Sequence, residues 1–114
     1  MFGDKHPQTG EIMRAPFFGD VLEVAHASKP QVVISVHEEC VQTSPLTKKG
    51  DLVERIGFPG TVRDNQIIRT VGHMSLQEVI DGMCKTFPES MCDFIRQHLV
   101  EEYERSSIQE DQAA

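Results

Sequence analysis

The densest short cluster of chemically capable side chains is His37-Glu38-Glu39-Cys40. An imidazole and a thiol three residues apart can share one metal ion, and His73 or His26 could complete a tetrahedral set. Glu38 is the type of residue that supports such ligands from behind. No Cys-x-x-Cys pair accompanies the cluster, so His37, Cys40 and His73 stand as candidate ligands against a plainer reading. That reading is a strand end running into a charged turn, with Cys40 as a small hydrophobe. No other cofactor is implied.

Two further thiols, Cys84 and Cys92, flank Pro88. If the segments on either side fold back on each other, the pair could undergo redox chemistry, provided that the Cα atoms come within ~7 Å. Only Lys85 lies nearby to favour a thiolate, and both cysteines also suit ordinary boundary positions. For acid–base or nucleophilic catalysis the chain offers five His and eighteen acids, with Ser35 next to Val36-His37. It has no Gly-x-Ser-x-Gly elbow, no His-Glu-x-x-His and no phosphate-cradling Gly-rich loop. His98 reads as a helix-boundary residue. No catalytic residue is assigned.

Charge separates the remaining functions. The formal net charge is −7 over 114 residues, which repels phosphate backbones and anionic membranes unless the cations are segregated. The one basic region holds Lys48, Lys49, Arg55, Arg63 and Arg69, diluted by Asp51, Glu54 and Asp64, with Phe58 as the sole stacking partner. It supports a nucleic-acid-associated regulator only as a weaker alternative. From Glu89 onward there are seven acids against two arginines. Glu101, Glu102, Tyr103 and Glu104 form the candidate protein-binding surface.

The elements that must position these residues are clearest at the C-terminus. Ser75-Leu76-Gln77-Glu78 is a capping box, with Met74 and Val79 placed as its hydrophobic staple. Leu76, Val79, Ile80, Met83 and Phe87 follow at helical spacing. Pro88 breaks that run and suits the first turn of a second helix, whose apolar stripe is Met91, Phe94, Ile95, Leu99 and Tyr103. Gln31–His37, rich in β-branched residues after Pro30, is the best strand, and Asn65–Val71 the next. Phe58-Pro59-Gly60 could turn a hairpin. Asp51–Ile56 and Phe17–Ser28 fit helix or strand equally.

These elements predict an α+β domain: three or four antiparallel strands packed against a C-terminal pair of amphipathic helices. A loosely attached arm is expected over residues 1–16, the domain over 17–105 and an acidic, fraying tail over 106–114. Three Cys without a leader-like N-terminus or any ~20-residue apolar run read as free thiols in a cytoplasmic protein, with no membrane span. Two apolar stripes in so short a chain point to burial in a homodimer or against a partner. The expected function is a small acidic protein-interaction module that regulates, adapts or inhibits a larger partner. The alternative is a small metal protein or enzyme centred on His37, Cys40 and His73.

Overall fold

The computed structural model describes residues 16–113 apart from Asp51, with side chains up to Ser106. The expected arm, Pro16 excepted, lies outside the described residues. The strands are β1 (Asp20–Val24), β2 (Gln31–Val36), β3 (Cys40–Lys49), β4 (Leu52–Ile56), β5 (Gly60–Arg63) and β6 (Ile67–His73). The helices are α1 (Leu76–Cys84) and α2 (Cys92–Ala113), with single 3-10 turns at Asp64–Gln66 and Glu89–Met91. The fold is α+β, with one antiparallel sheet backed by two C-terminal helices. It has six strands where three or four were expected. The two segments left open between helix and strand are both strands, β1 and β4.

The sheet runs β4-β3-β2-β1-β6, with β5 also paired to β3. Phe58-Pro59-Gly60 does not turn a hairpin. β4 pairs with Leu46–Lys49 and β5 with Cys40–Thr43, so the two follow one another along a single edge of β3. The hairpin instead joins β3 to β4 through Gly50, whose φ of +65° is open to glycine without strain. Pro45 sits in β3 opposite that interruption. Its carbonyl accepts from the Gly57 N–H at 2.8 Å, so the N–H that proline lacks would have faced the gap between β4 and β5. A central strand tolerates proline there because no ladder bond is lost.

Both faces of the sheet are buried. On one face Val21, Val32, Ile34, Leu46 and Ile56 pack with Val79, Ile80 and Met83 of α1 and Ile95 and Leu99 of α2. On the other, Leu22, Val24, Val33, Val41, Val62 and Ile67 form a second core supplied by the strands alone. The turn at Asp64–Gln66 joins strands on opposite edges, and its ends are bonded to residues flanking β3 and β1: Asp64 N–H donates to the Glu39 carbonyl, and Ala25 N–H to that of Gln66.

Helix α1 begins as its sequence predicts. Glu78 N–H donates to Ser75 Oγ at 3.2 Å, and Ser75 N–H to Glu78 Oε1 at 3.1 Å. Its C-terminal end is followed by a tight elbow through Pro88. The backbone of α2 then runs on through residues 106–113, expected as a tail, and Ser106 is buried.

Gly19 locks β1 against the start of the helical half. Its N–H donates to the Val33 carbonyl at 2.9 Å and its carbonyl accepts from Met74 N–H at 2.7 Å, at a φ of +91°. A Cβ there would overlap the Met74 carbonyl oxygen. Gly19→Ala combines that overlap with a disfavoured backbone, so urea unfolding should show a loss of about 2–4 kcal/mol. A loss below about 0.5 kcal/mol would contradict this close approach.

Candidate functional site

The side chains at issue gather where α2 crosses β2. Pairing between β2 and β3 shifts register between Val33 and Ser35, a bulge that inserts one residue into β2. Val32 and Ile34 belong to the helix-side core, and Val33 and Val36 pack in the opposite one. The extra residue therefore turns Ile34 and Ser35 both toward α2. Ser35 is 2% exposed and its hydroxyl is a hub. It donates to Glu102 Oε2 at 3.0 Å, accepts from Arg105 Nη2 at 3.0 Å and meets His37 Nε2 at 2.9 Å. Arg105 closes the network onto Glu102 through Nε at 3.1 Å and through Nη2.

Burial alone would raise the Glu102 carboxyl, but hydrogen bonds from Arg105 and Ser35, and the Arg105 charge, together hold it below its ordinary value. The order of contacts excludes a triad. A nucleophilic serine needs the imidazole between hydroxyl and carboxylate, whereas here the hydroxyl lies between imidazole and carboxylate, and it is enclosed. The network joins sheet to helix.

This arrangement redistributes the expected binding surface. One inward line of α2 is Cys92, Ile95, Leu99, Glu102 and Ser106, spaced three and four apart and polar after Leu99, with the half-buried Val100 beside it against the core. Glu102 thus faces the sheet. Tyr103, 43% exposed, lies on a different flank, edge-on to the buried Phe18 ring at 5.7 Å. Glu101 and Glu104 do point outward. Two residues of the expected apolar stripe are also outside: Met91 is 40% and Phe94 67% exposed. Met91, Phe94, His98 and Glu101 share one outward flank by their spacing. The Phe94 and His98 rings are stacked, with centroids 6.2 Å apart and planes within 3°.

The candidate metal ligands do not converge. His37 and Cys40 frame the β2–β3 turn, where His37 N–H donates to the Cys40 carbonyl at 2.9 Å, but the imidazole turns to Ser35. Cys40 lines an open cleft of about 790 Å³ with Glu38, Glu39, Arg63 and Asp64. Burial, reinforced by Glu39, raises Asp64 from its usual value. His26 is exposed in the β1–β2 turn. His73 lies on β6, two strands from β2, and its Nδ1 is 3.0 Å from Asp20 Oδ1. Among the described residues no three His, Cys, Asp or Glu side chains are grouped to hold a metal ion.

Asp20 was not singled out by its sequence context. It is 1% exposed, and its second oxygen accepts from Phe17 N–H at 3.1 Å.

The candidate nucleic-acid residues are dispersed. Lys48 and Lys49 end β3 beside Arg55 of β4, while Arg63 pairs with Cys40 at the other end of the same strand. Eight residues of strand separate them, roughly 26 Å, and Arg63 is surrounded by the acids of the cleft. No helix among the described residues is long and apolar enough to cross a membrane.

The fold and this junction define the class: an α+β protein whose second helix is fixed to an antiparallel sheet by a half-buried polar network. No protein-family model, curated protein or solved structure matches the chain.

Glu102→Gln removes the charge but keeps the shape of the junction. At neutral pH it should cost about 1–3 kcal/mol in urea unfolding, the range for a hydrogen bond to a charged group. A carboxyl lowered in the folded state contributes stability above its unfolded pKa, and that contribution is lost as pH falls through the folded value. The gap between variant and wild type should therefore close as pH is lowered past about 4. A gap that is constant from pH 7 to pH 3 would show that the Glu102 charge contributes nothing.

Proposed function

We propose that this chain is a protein-interaction module whose contact surface is the outward flank of α2 and of the 3-10 turn before it: Met91, Phe94 and His98 with Glu101 and Glu104 beside them. The observation that carries the reading is Phe94, a large ring 67% exposed yet stacked on His98. An aromatic side chain already held in one orientation loses little freedom on binding, which is the character of an interface anchor. The acids beside it suit a partner with an apolar pocket rimmed by Lys or Arg, since complementary charge aids encounter and register. The partner could then be regulated, tethered or inhibited by occupation of that pocket. A second copy of this chain is the other occupant that such a flank admits. Free thiols at Cys40, Cys84 and Cys92 fit a reducing compartment such as the cytoplasm.

The test compares wild type, Phe94→Ala and the double reversal Glu101→Lys/Glu104→Lys as immobilised baits in native extract, with captured proteins quantified. Glu102 is left intact because its reversal would break the Ser35 network. One stoichiometric species should be retained by wild type and lost by about thirtyfold in Phe94→Ala, as for an anchor worth about 2 kcal/mol. The thermal melt should not move, because the side chain is exposed. Equal capture by all three baits would remove α2 as the contact surface. Sedimentation of the free chain over a range of concentrations would show a self-association lost in Phe94→Ala if the occupant is a second copy.

A further inference from the structure

Cys84 is the last residue of α1 and Cys92 the first of α2. The chain between them is an elbow held by bonds that do not involve either thiol. Thr86 and Phe87 N–H both donate to the Met83 carbonyl, at 3.0 and 3.2 Å, and Met91 N–H donates to that of Pro88 at 2.9 Å. The Thr86 hydroxyl reaches across to the Ile56 carbonyl on β4 at 2.6 Å, and the Phe87 ring meets Phe58 edge-on at 5.0 Å. This elbow brings Cys92 Sγ to 4.0 Å from the Cys84 carbonyl oxygen. Their proximity is set by the packed fold and precedes any bond between them. Both are half-buried, so a small molecule can reach them. The third cysteine, Cys40, lies in the cleft at the start of β3.

We propose that Cys84 and Cys92 are a reactive dithiol that exchanges reversibly with low-molecular-weight disulfides and ends as an internal disulfide across the α1–α2 elbow. Burial first, and then the hydrogen bond and charge of Cys92, push the Cys84 thiol up to about 11. At neutral pH Cys84 keeps its proton, and the first attack falls to Cys92. The Cys92 thiol releases its proton to solvent, and its thiolate attacks one sulfur of the small disulfide. That step forms a mixed disulfide on Cys92 and expels one small thiolate, which takes up a proton. With Cys92 in the mixed disulfide, its thiol no longer adds to the causes that hold the proton on Cys84. Cys84 loses that proton to solvent, attacks Cys92 Sγ and expels the second small thiolate, which is protonated in turn. The two cysteines give up two electrons and two protons, and the small disulfide takes them up as two thiols.

The experiment incubates the full chain carrying Cys40→Ser with excess oxidised glutathione and follows free thiols and intact mass. Both remaining thiols should disappear together, the mass should fall by two hydrogens, and dithiothreitol should restore it. With Cys40→Ser/Cys84→Ser the reaction should stop at a stable glutathione adduct on Cys92. Cys40→Ser/Cys92→Ser should likewise stop at a stable glutathione adduct, on Cys84. Peptide mapping of the oxidised wild-type chain repeats the test without substitution, and should recover Cys84 linked to Cys92. Stable glutathione on both cysteines, linkage through Cys40, or no loss of thiol at equilibrium would each overturn the assignment.

Discussion

A single 3-10 turn, Asp64–Gln66, joins strands that stand on opposite edges of the sheet. From β5 across β3, β2 and β1 to β6 there are four strand spacings, about 19 Å if the sheet were flat. Four residue steps fully extended cover at most about 14 Å, and a 3-10 turn covers much less. The sheet therefore has to curl until its edges approach. That curl encloses Leu22, Val24, Val33, Val41, Val62 and Ile67 as a core that needs no helix, which leaves the two helices only the other face.

That division explains the character of α2. Ile95 and Leu99 seal the helix-side core, and beyond Leu99 the inward positions of the helix meet the bulged end of β2 instead of apolar side chains. A charged residue could face the sheet there only if the strand offered a hydroxyl and the helix brought a counter-charge. Ser35 and Arg105 meet both conditions. The apolar residues that this register excludes, Met91 and Phe94, are turned out. The exposed flank of α2 and its half-buried polar junction are thus two results of one helix orientation.

Much of the fold was legible because its signals are local. The capping box at Ser75, the proline break at Pro88 and the β-branched run of β2 each act within a few residues. β3 was hidden because Pro45 and its polar neighbours argue against a central strand, and only the interruption between β4 and β5 makes them acceptable. The orientation of α2 was misjudged for a related reason. Apolar periodicity selects Phe94 and Tyr103 as inward, whereas the sheet selects Glu102 through a partner 67 residues away. A serine within the otherwise apolar Gln31–Val36 run was the one available sign of it. Asp20 and His73 meet only through the pairing of β1 with β6, which no short-range pattern encodes. The cysteine pair was legible only as a condition, that the helices fold back, and the elbow brings Cys92 Sγ to 4.0 Å from the Cys84 carbonyl oxygen.

The pairing of β6 has a further consequence. Among the described residues this strand bonds to β1 alone and ends the sheet, so its outer side offers a row of backbone groups to any other chain. Two register irregularities against β1, between Val21 and Leu22 and between Glu23 and Val24, disturb the straight ladder that an incoming strand would have to copy. Arg69, bonded to Glu23 at 2.7 Å, and the exposed His73 place polar groups along the same strand. Such features keep open sheet edges from templating aggregates. A chain that exposes aromatic side chains on one helix is by this means guarded against joining its neighbours, strand to strand, at the β6 edge of its sheet.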